Sequence, residues 1–159
     1  PMAGREFSGF AYSLPDLYEG ASFIMTPMPD TDAEKLKTVK DLAKALGFSR
    51  IVITDCRTHD ETIAFTSQIA HVISNAYVKS PTLQNQSGFS AGSFQDLSRV
   101  AKLNEDMWTD LFLMNREPLL FELDTIMKHL QEYREVLERQ DKEGLKSLLR
   151  DGRILKENA

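Results

Sequence analysis

One side chain in this sequence is well suited to hold an anionic ligand, Arg99 beside a glycine turn, and a second, His71, lies in a polar helical stripe. Arg99 closes the run Gly88 to Arg99, GFSAGSFQDLSR, whose small residues Gly88, Ala91 and Gly92 permit a tight backbone path. A planar guanidinium next to such a turn can take a carboxylate through two parallel hydrogen bonds. Asp96 lies three residues before Arg99 and shares its helical face, so an ordinary intrahelical ion pair is the structural alternative. His71 belongs to a stripe with Asp60, Ser67 and Asn75, spaced seven, four and four, on a helix otherwise apolar nearly all round. Polar groups on such a helix need partners, so the stripe faces either a hydrogen-bond network or a wet cleft. A lone histidine there is more often structural than catalytic. Trp108, the only tryptophan, is bulky enough that packing comes first and ligand contact second.

The elements that must position these residues fall into two groups. Residues 1–20 are loop-like, broken by Gly4, Gly9, Pro15 and Gly20. Ser22 to Thr26 reads as a buried strand, stopped by Pro27 and Pro29. Thr31 with Glu34 predicts a capping box for a helix with the stripe Ala33, Leu36, Val39, Leu42, Ala43 and Leu46, which Gly47 ends in a left-handed conformation. Arg50 to Thr54, rich in β-branched residues, is a second strand. Strand, helix and strand make one right-handed crossover, and two strands do not form a stable sheet alone, so the unit reads as the tail of a larger α/β sheet.

From residue 57 onward the pattern is helical. Thr58 with Glu61 predicts a capping box for a helix running to about Lys79, and Ser80 to Gly92 reads as a linker. Ser93 with Asp96 predicts another capping box, and Asn104 caps a short helix that carries Glu105, Asp106 and Trp108 in its first turn. A long helix restarts at Asn115 and Pro118. Its Leu119, Leu123, Ile126, Leu130, Tyr133 and Leu137 form a coiled-coil-like seam that implies a partner helix, from the same chain or a second subunit. Gly144 is expected to loosen the junction to a short last helix, and the tail Lys156 to Ala159 to fray.

With 42% hydrophobic residues in 159, the chain can build a core, which argues against disorder. A net charge of −5 gives no electrostatic reason to bind nucleic acid or an anionic membrane surface. Cys56 stands alone, so no internal disulfide can form, and a reducing, cytoplasmic setting fits. It reads as a packed hydrophobe rather than a nucleophile. No apolar run reaches membrane-spanning length, no signal peptide is visible, and no G-x-G-x-x-G dinucleotide fingerprint occurs.

The segments SAGSFQDLSRVA and MWTDLFLMN, with PMAGREFSGF at the start and HDETIAFTSQIAH in the middle, resemble the prephenate dehydrogenase family in the family's order. The resemblance implies a mainly α fold. Residues 57–159 would form a helical dimerisation and substrate-binding domain, and residues 1–56 the C-terminal remnant of a nucleotide-binding α/β domain. It also implies oxidative decarboxylation of prephenate by hydride transfer to NAD, with NADP not excluded, in a cytoplasmic homodimer of tyrosine biosynthesis.

By the same resemblance, Arg99 binds a substrate carboxylate, His71 and Gln68 lie at the substrate, and Gly92 approaches the site from the neighbouring subunit. Glu6, Asp60, Asp96, Ser67 and Trp108 support the pocket. Gln68 stands where the family has a histidine, which leaves prephenate or its amino analogue arogenate as substrate. The family's catalytic histidine precedes the segment matched by PMAG. The chain begins at Pro1, so no catalytic residue falls within it, and it is expected to be an inactive piece when alone. A helical dimerisation module without chemistry and a sensor of aromatic metabolites are the alternatives, and no metal site is expected.

Overall fold

A computed structural model describes residues 1–4 and 9–159, so the expectation for Glu6 lies outside the described residues. Strands β1 (Ser22–Met25) and β2 (Arg50–Ile53) pair in parallel, in register from Ser22 opposite Arg50 to Met25 opposite Ile53. Helix α1 (Ala33–Ala45) is the crossover between them. The Met2 N–H donates to the Ser22 carbonyl at 2.7 Å, which sets the first residues antiparallel to β1. Phe48 is buried at the end of this unit, stacked on Tyr18 at 4.8 Å and edge-on to Phe23 at 5.1 Å. Gly47 takes a φ of 92°, in the left-handed region that ends α1.

The helical part opens with α2 (Cys56–Ile63), a π-helical turn (Ala64–Gln68) and α3 (Ile69–Tyr77), three segments of one continuous helix. A 3₁₀ turn (Pro81–Asn85) occupies the expected linker. Then come α4 (Gly92–Ser98), a 3₁₀ turn (Arg99–Ala101), α5 (Glu105–Met114), α6 (Arg116–Glu138) and α7 (Lys142–Glu157). Ala64, Ile69, Leu119 and Val136 are the buried apolar residues of this part among the described residues. They lie where α6 crosses the π turn and folds back on α7.

Three caps differ from expectation. Asp32, not Thr31, caps α1, accepting from the Lys35 N–H. Asp55, not Thr58, caps α2: one carboxylate oxygen accepts the Thr58 N–H at 2.9 Å, the other the Thr58 hydroxyl at 2.7 Å. In both cases an aspartate stands close by, and an ionised carboxylate accepts these bonds more strongly than a hydroxyl. Ser93 caps nothing, because α4 already starts at Gly92 with Ala91 as its uncapped N-cap. Asn104 does cap α5, accepting from the Met107 N–H at 2.9 Å.

The C-terminal expectation also changes. Helix α7 is 16 residues long, and Gly144 lies inside it at a tight spot rather than a loose one. A Cβ there would come within 2.8 Å of the Asp141 carboxyl carbon and 3.2 Å of Val136. Asp141 is the N-cap of α7, accepting from the Gly144 N–H at 2.9 Å. The seam of α6 is covered only in part within the chain. Leu119 is buried and Leu123, Ile126 and Tyr133 half-buried, whereas Leu130 and Leu137 are 62% and 59% exposed.

Candidate functional site

The continuous helix α2–α3 carries the centre of the site. His71 is half-buried on α3, and its Nδ1 lies 2.9 Å from the Ser67 carbonyl one turn earlier. A carbonyl can only accept, so Nδ1 carries a hydrogen. The imidazole stacks on Trp108 of α5 with ring centroids 3.9 Å apart and 30° between planes. Trp108 is in turn tilted against Phe112, one helical turn on, at 5.2 Å.

One turn beyond His71, the Asn75 side-chain amide donates to the Ala101 carbonyl at 3.2 Å. That bond fastens the Arg99–Ala101 turn against α3, so the arginine segment and the histidine helix meet. Arg99 is exposed yet engaged, and is not a free cation. The expected i, i+3 pair with Asp96 is not made: Asp96 joins no ion pair among the described residues. The α-helix stops at Ser98, so the two side chains stand on segments of different winding. Between these elements opens a cleft of about 390 Å³, bordered by Asn75, Ala101, Lys102, Glu105, Trp108 and Phe112; His71 and Arg99 stand next to its walls in the chain but do not line it. That volume is within the range of small-molecule sites.

The other expected residues divide. Ser67 contributes through its carbonyl on His71. Gln68 is buried, 5% exposed, and its amide is committed to protein partners: Nε2 donates to the Leu111 carbonyl at 3.2 Å, and Oε1 accepts from Asn115 at 2.7 Å. It is therefore a brace between helices rather than an open donor. The Asp60 carboxylate lies 2.8 Å from His59 Nδ1, and its carbonyl accepts from Asn115 at 2.9 Å, so it is not joined to His71. Gly92 is the exposed first residue of α4, and within this chain a Cβ there would meet nothing inside 4 Å. Asn115 is the residue that sequence reasoning missed. It stands in the motif MWTDLFLMN, but its partners lie 47 and 55 residues away.

The model of the prephenate dehydrogenase dimerization domain matches residues 55–151, and that of the prephenate dehydrogenase nucleotide-binding domain matches residues 1–52. The chain belongs to the prephenate dehydrogenase family. It is similar to the Bacillus subtilis (strain 168) prephenate dehydrogenase, 29% identical over 153 residues, which are 91% of this chain and 40% of the relative. It is 30% identical over 151 residues to the cyclohexadienyl dehydrogenase of Zymomonas mobilis, 89% of this chain and 50% of that one. The crystal structure of the A. aeolicus prephenate dehydrogenase in complex with hydroxyphenyl propionate and NAD⁺ superposes with a TM-score of 0.84 at 32% identity, covering 99% of this chain and 57% of that one. The chain thus spans about half the length of the relatives it matches.

Prephenate dehydrogenases carry a nucleotide-binding domain, and the residues present here fit a dinucleotide in part. β1 and β2 are parallel and release the chain at Thr26 and Thr54, at the carboxyl ends where open α/β sheets bind their ligands. The glycine-rich turn that would cradle the pyrophosphate is not in this sequence.

Proposed function

We propose that this chain is the substrate-binding and dimer-forming part of a nicotinamide-dependent prephenate dehydrogenase acting in tyrosine biosynthesis in the cytoplasm. Residues 1–56 would belong to the nucleotide-binding domain and residues 57–159 to the helical one. The observation that carries this reading is the placement of His71, stacked on Trp108, on the same helix that holds the Arg99 turn through Asn75.

Prephenate bears two carboxylates and a ring alcohol. Its oxidation would pass a hydride from the alcohol carbon to the cofactor; the bond to the ring carboxylate breaks as carbon dioxide leaves, its electron pair aromatises the ring, and the hydroxyl proton, taken off as the carbonyl forms, returns to the phenol oxygen of 4-hydroxyphenylpyruvate. A bound nicotinamide, NAD in the first instance, supplies the hydride acceptor. The tasks left to this chain are binding and alignment. Arg99 takes one carboxylate through its planar fork, whose five N–H donors can serve a ligand alongside a protein partner. The Nε2 edge of His71 meets the substrate side chain, and the Trp108 face fixes the imidazole plane. Asp60 and Asp96 add negative charge to the pocket that holds the arginine, and Gly92 approaches the site from the neighbouring subunit.

The test is steady-state kinetics on a protein that carries this chain together with the rest of a nucleotide-binding domain. Arg99→Ala should raise KM for prephenate on the order of thirty- to several-thousand-fold, the equivalent of about 2–5 kcal/mol for a broken desolvated charge pair. Arg99→Lys, which keeps charge and loses the fork, should fall between, with KM for the nicotinamide unchanged. A KM for prephenate within about twofold of the parent would make Arg99 structural. Arogenate is the second reading, raised by the loss of the histidine that the resemblance places at position 68, where Gln68 turns its amide to Leu111 and Asn115 instead; the same assay with arogenate decides between them.

A further inference from the structure

Four hydrogen bonds join α2, the π turn and α5 through the side-chain amides of Asn115 and Gln68 and one backbone N–H. Asn115 Nδ2 gives one hydrogen to the Asp60 carbonyl at 2.9 Å and the other to Gln68 Oε1 at 2.7 Å. Gln68 Nε2 continues to the Leu111 carbonyl at 3.2 Å, and the Asn115 backbone N–H returns to that same carbonyl at 3.3 Å. The directions are forced: Asp60 offers a carbonyl that can only accept, which places the Asn115 nitrogen, and this in turn places the Gln68 oxygen. Asn115 sits in the one-residue break between α5 and α6 and caps neither helix with its side chain. Its amide serves the neighbouring helix instead.

This brace runs beside the His71–Trp108 stack. Gln68 follows Ser67, whose carbonyl holds His71 Nδ1, and Leu111 is three residues past Trp108 on α5. Helix α5 is therefore held to the π-turned helix at two adjacent points, one a part-buried hydrogen bond from the Gln68 amide and the other the ring stack. π turns occur disproportionately at functional sites, and here the turn presents the Gln68 amide to Asn115 and the Ser67 carbonyl to His71.

We propose that Asn115 is a positioning residue: through Gln68 it sets the approach of α5 to the histidine helix, and so fixes the His71 ring against Trp108 in the plane that meets the ligand. Its kinetic consequence rests on the prephenate reading; its structural consequence does not.

The structural arm is near-ultraviolet circular dichroism of the single tryptophan, recorded well below each variant's melting temperature. Asn115→Asp keeps the shape and removes both donors, and should lose most of the tryptophan band. Gln68→Met breaks the brace from its other end and should do the same, which decides the matter if Asn115→Asp does not fold. A full tryptophan band in a folded variant overturns the proposal. The kinetic arm uses the enzyme form described above. Asn115→Asp should lower kcat/KM for prephenate on the order of ten- to a hundredfold, as misplacement at a distance does. Adding it to His71→Ala should cost nothing further, because the two act through one ring. Independent, multiplying losses would make Asn115 merely structural and overturn the proposal. If the parent oxidises no prephenate, the functional reading fails, and the dichroism still decides for or against the brace.

Discussion

The imidazole of His71 and the indole of Trp108 lie face to face, 3.9 Å between centroids, although 37 positions separate them in the chain. The stack places a flat aromatic wall behind a ring whose other nitrogen is already fixed by the Ser67 carbonyl. Rotation of the imidazole is thereby restricted from two sides.

Trp108→Leu removes the wall and keeps an apolar side chain. Ring pairs contribute about 0.5–1.5 kcal/mol beyond the area they bury, so KM for prephenate should rise roughly two- to tenfold. Trp108→Phe should retain most of the effect. An unchanged KM in the leucine variant would show that the stack supports only the fold.

Ser74 is fully buried on α3, and its hydroxyl has no hydrogen-bond partner among the described residues. A buried hydroxyl without a partner costs on the order of 1–3 kcal/mol in lost hydration. Ser74→Ala should therefore stabilise the chain by about 1 kcal/mol, a rise of roughly 2–4 °C in Tm. A melting curve that moves down would reveal a role for the hydroxyl in the assembled protein.

Acid stability should depend on Asp55. The Thr58 backbone N–H and then the Thr58 hydroxyl hold its carboxyl below the ordinary aspartate value. A carboxyl lowered on folding contributes stability that is present above its unfolded pKa and is lost as pH falls through the folded one. Tm measured from about pH 5 to pH 2 should fall less steeply in Asp55→Asn than in the parent. Equal slopes would remove the cap from the acid response.

The exposed half of the α6 seam carries the assembly prediction. Leu130 and Leu137 stand in solvent in the single chain, with Phe121 and Met127 exposed on the same helix. Leu130, Leu137 and Met127 lie on one side of α6, and a second copy covering them would take that apolar face out of water. Sedimentation at micromolar concentration should give a dimer for the parent and a monomer for Leu130→Glu combined with Leu137→Glu. A dimeric double variant would place the interface elsewhere.

Local chemistry was legible in the sequence, and contacts between distant residues were not. β1 and β2 end within one residue of expectation, because short β-branched runs bounded by proline and glycine leave little choice. Asn104 was read correctly because no stronger acceptor lies beside it. Thr31 and Thr58 were misassigned because Ser/Thr-x-x-Glu spacing does not register an aspartate nearby that accepts more strongly. His71, Ser67 and Trp108 were named as candidates, yet the polar stripe of Asp60, Ser67, His71 and Asn75 assumed uniform α-helix. The π turn has no spacing signature, and Asn115 shows its use only once two helices meet.

Because of the π turn between Ile63 and Ile69, helical phase downstream is set separately from helix length. Each residue of an α-helix adds about 1.5 Å of rise and about 100° of rotation. A π turn instead closes its hydrogen-bonded ring over one residue more, so it takes up an extra residue while the flanking helices keep nearly the same phase. A chain one residue shorter in 64–68 would form plain α-helix with His71 and Asn75 still on their present face. What it would lose is the widened turn that carries the Gln68 amide out to Asn115 and Leu111, so the brace would go while the histidine helix stayed in place.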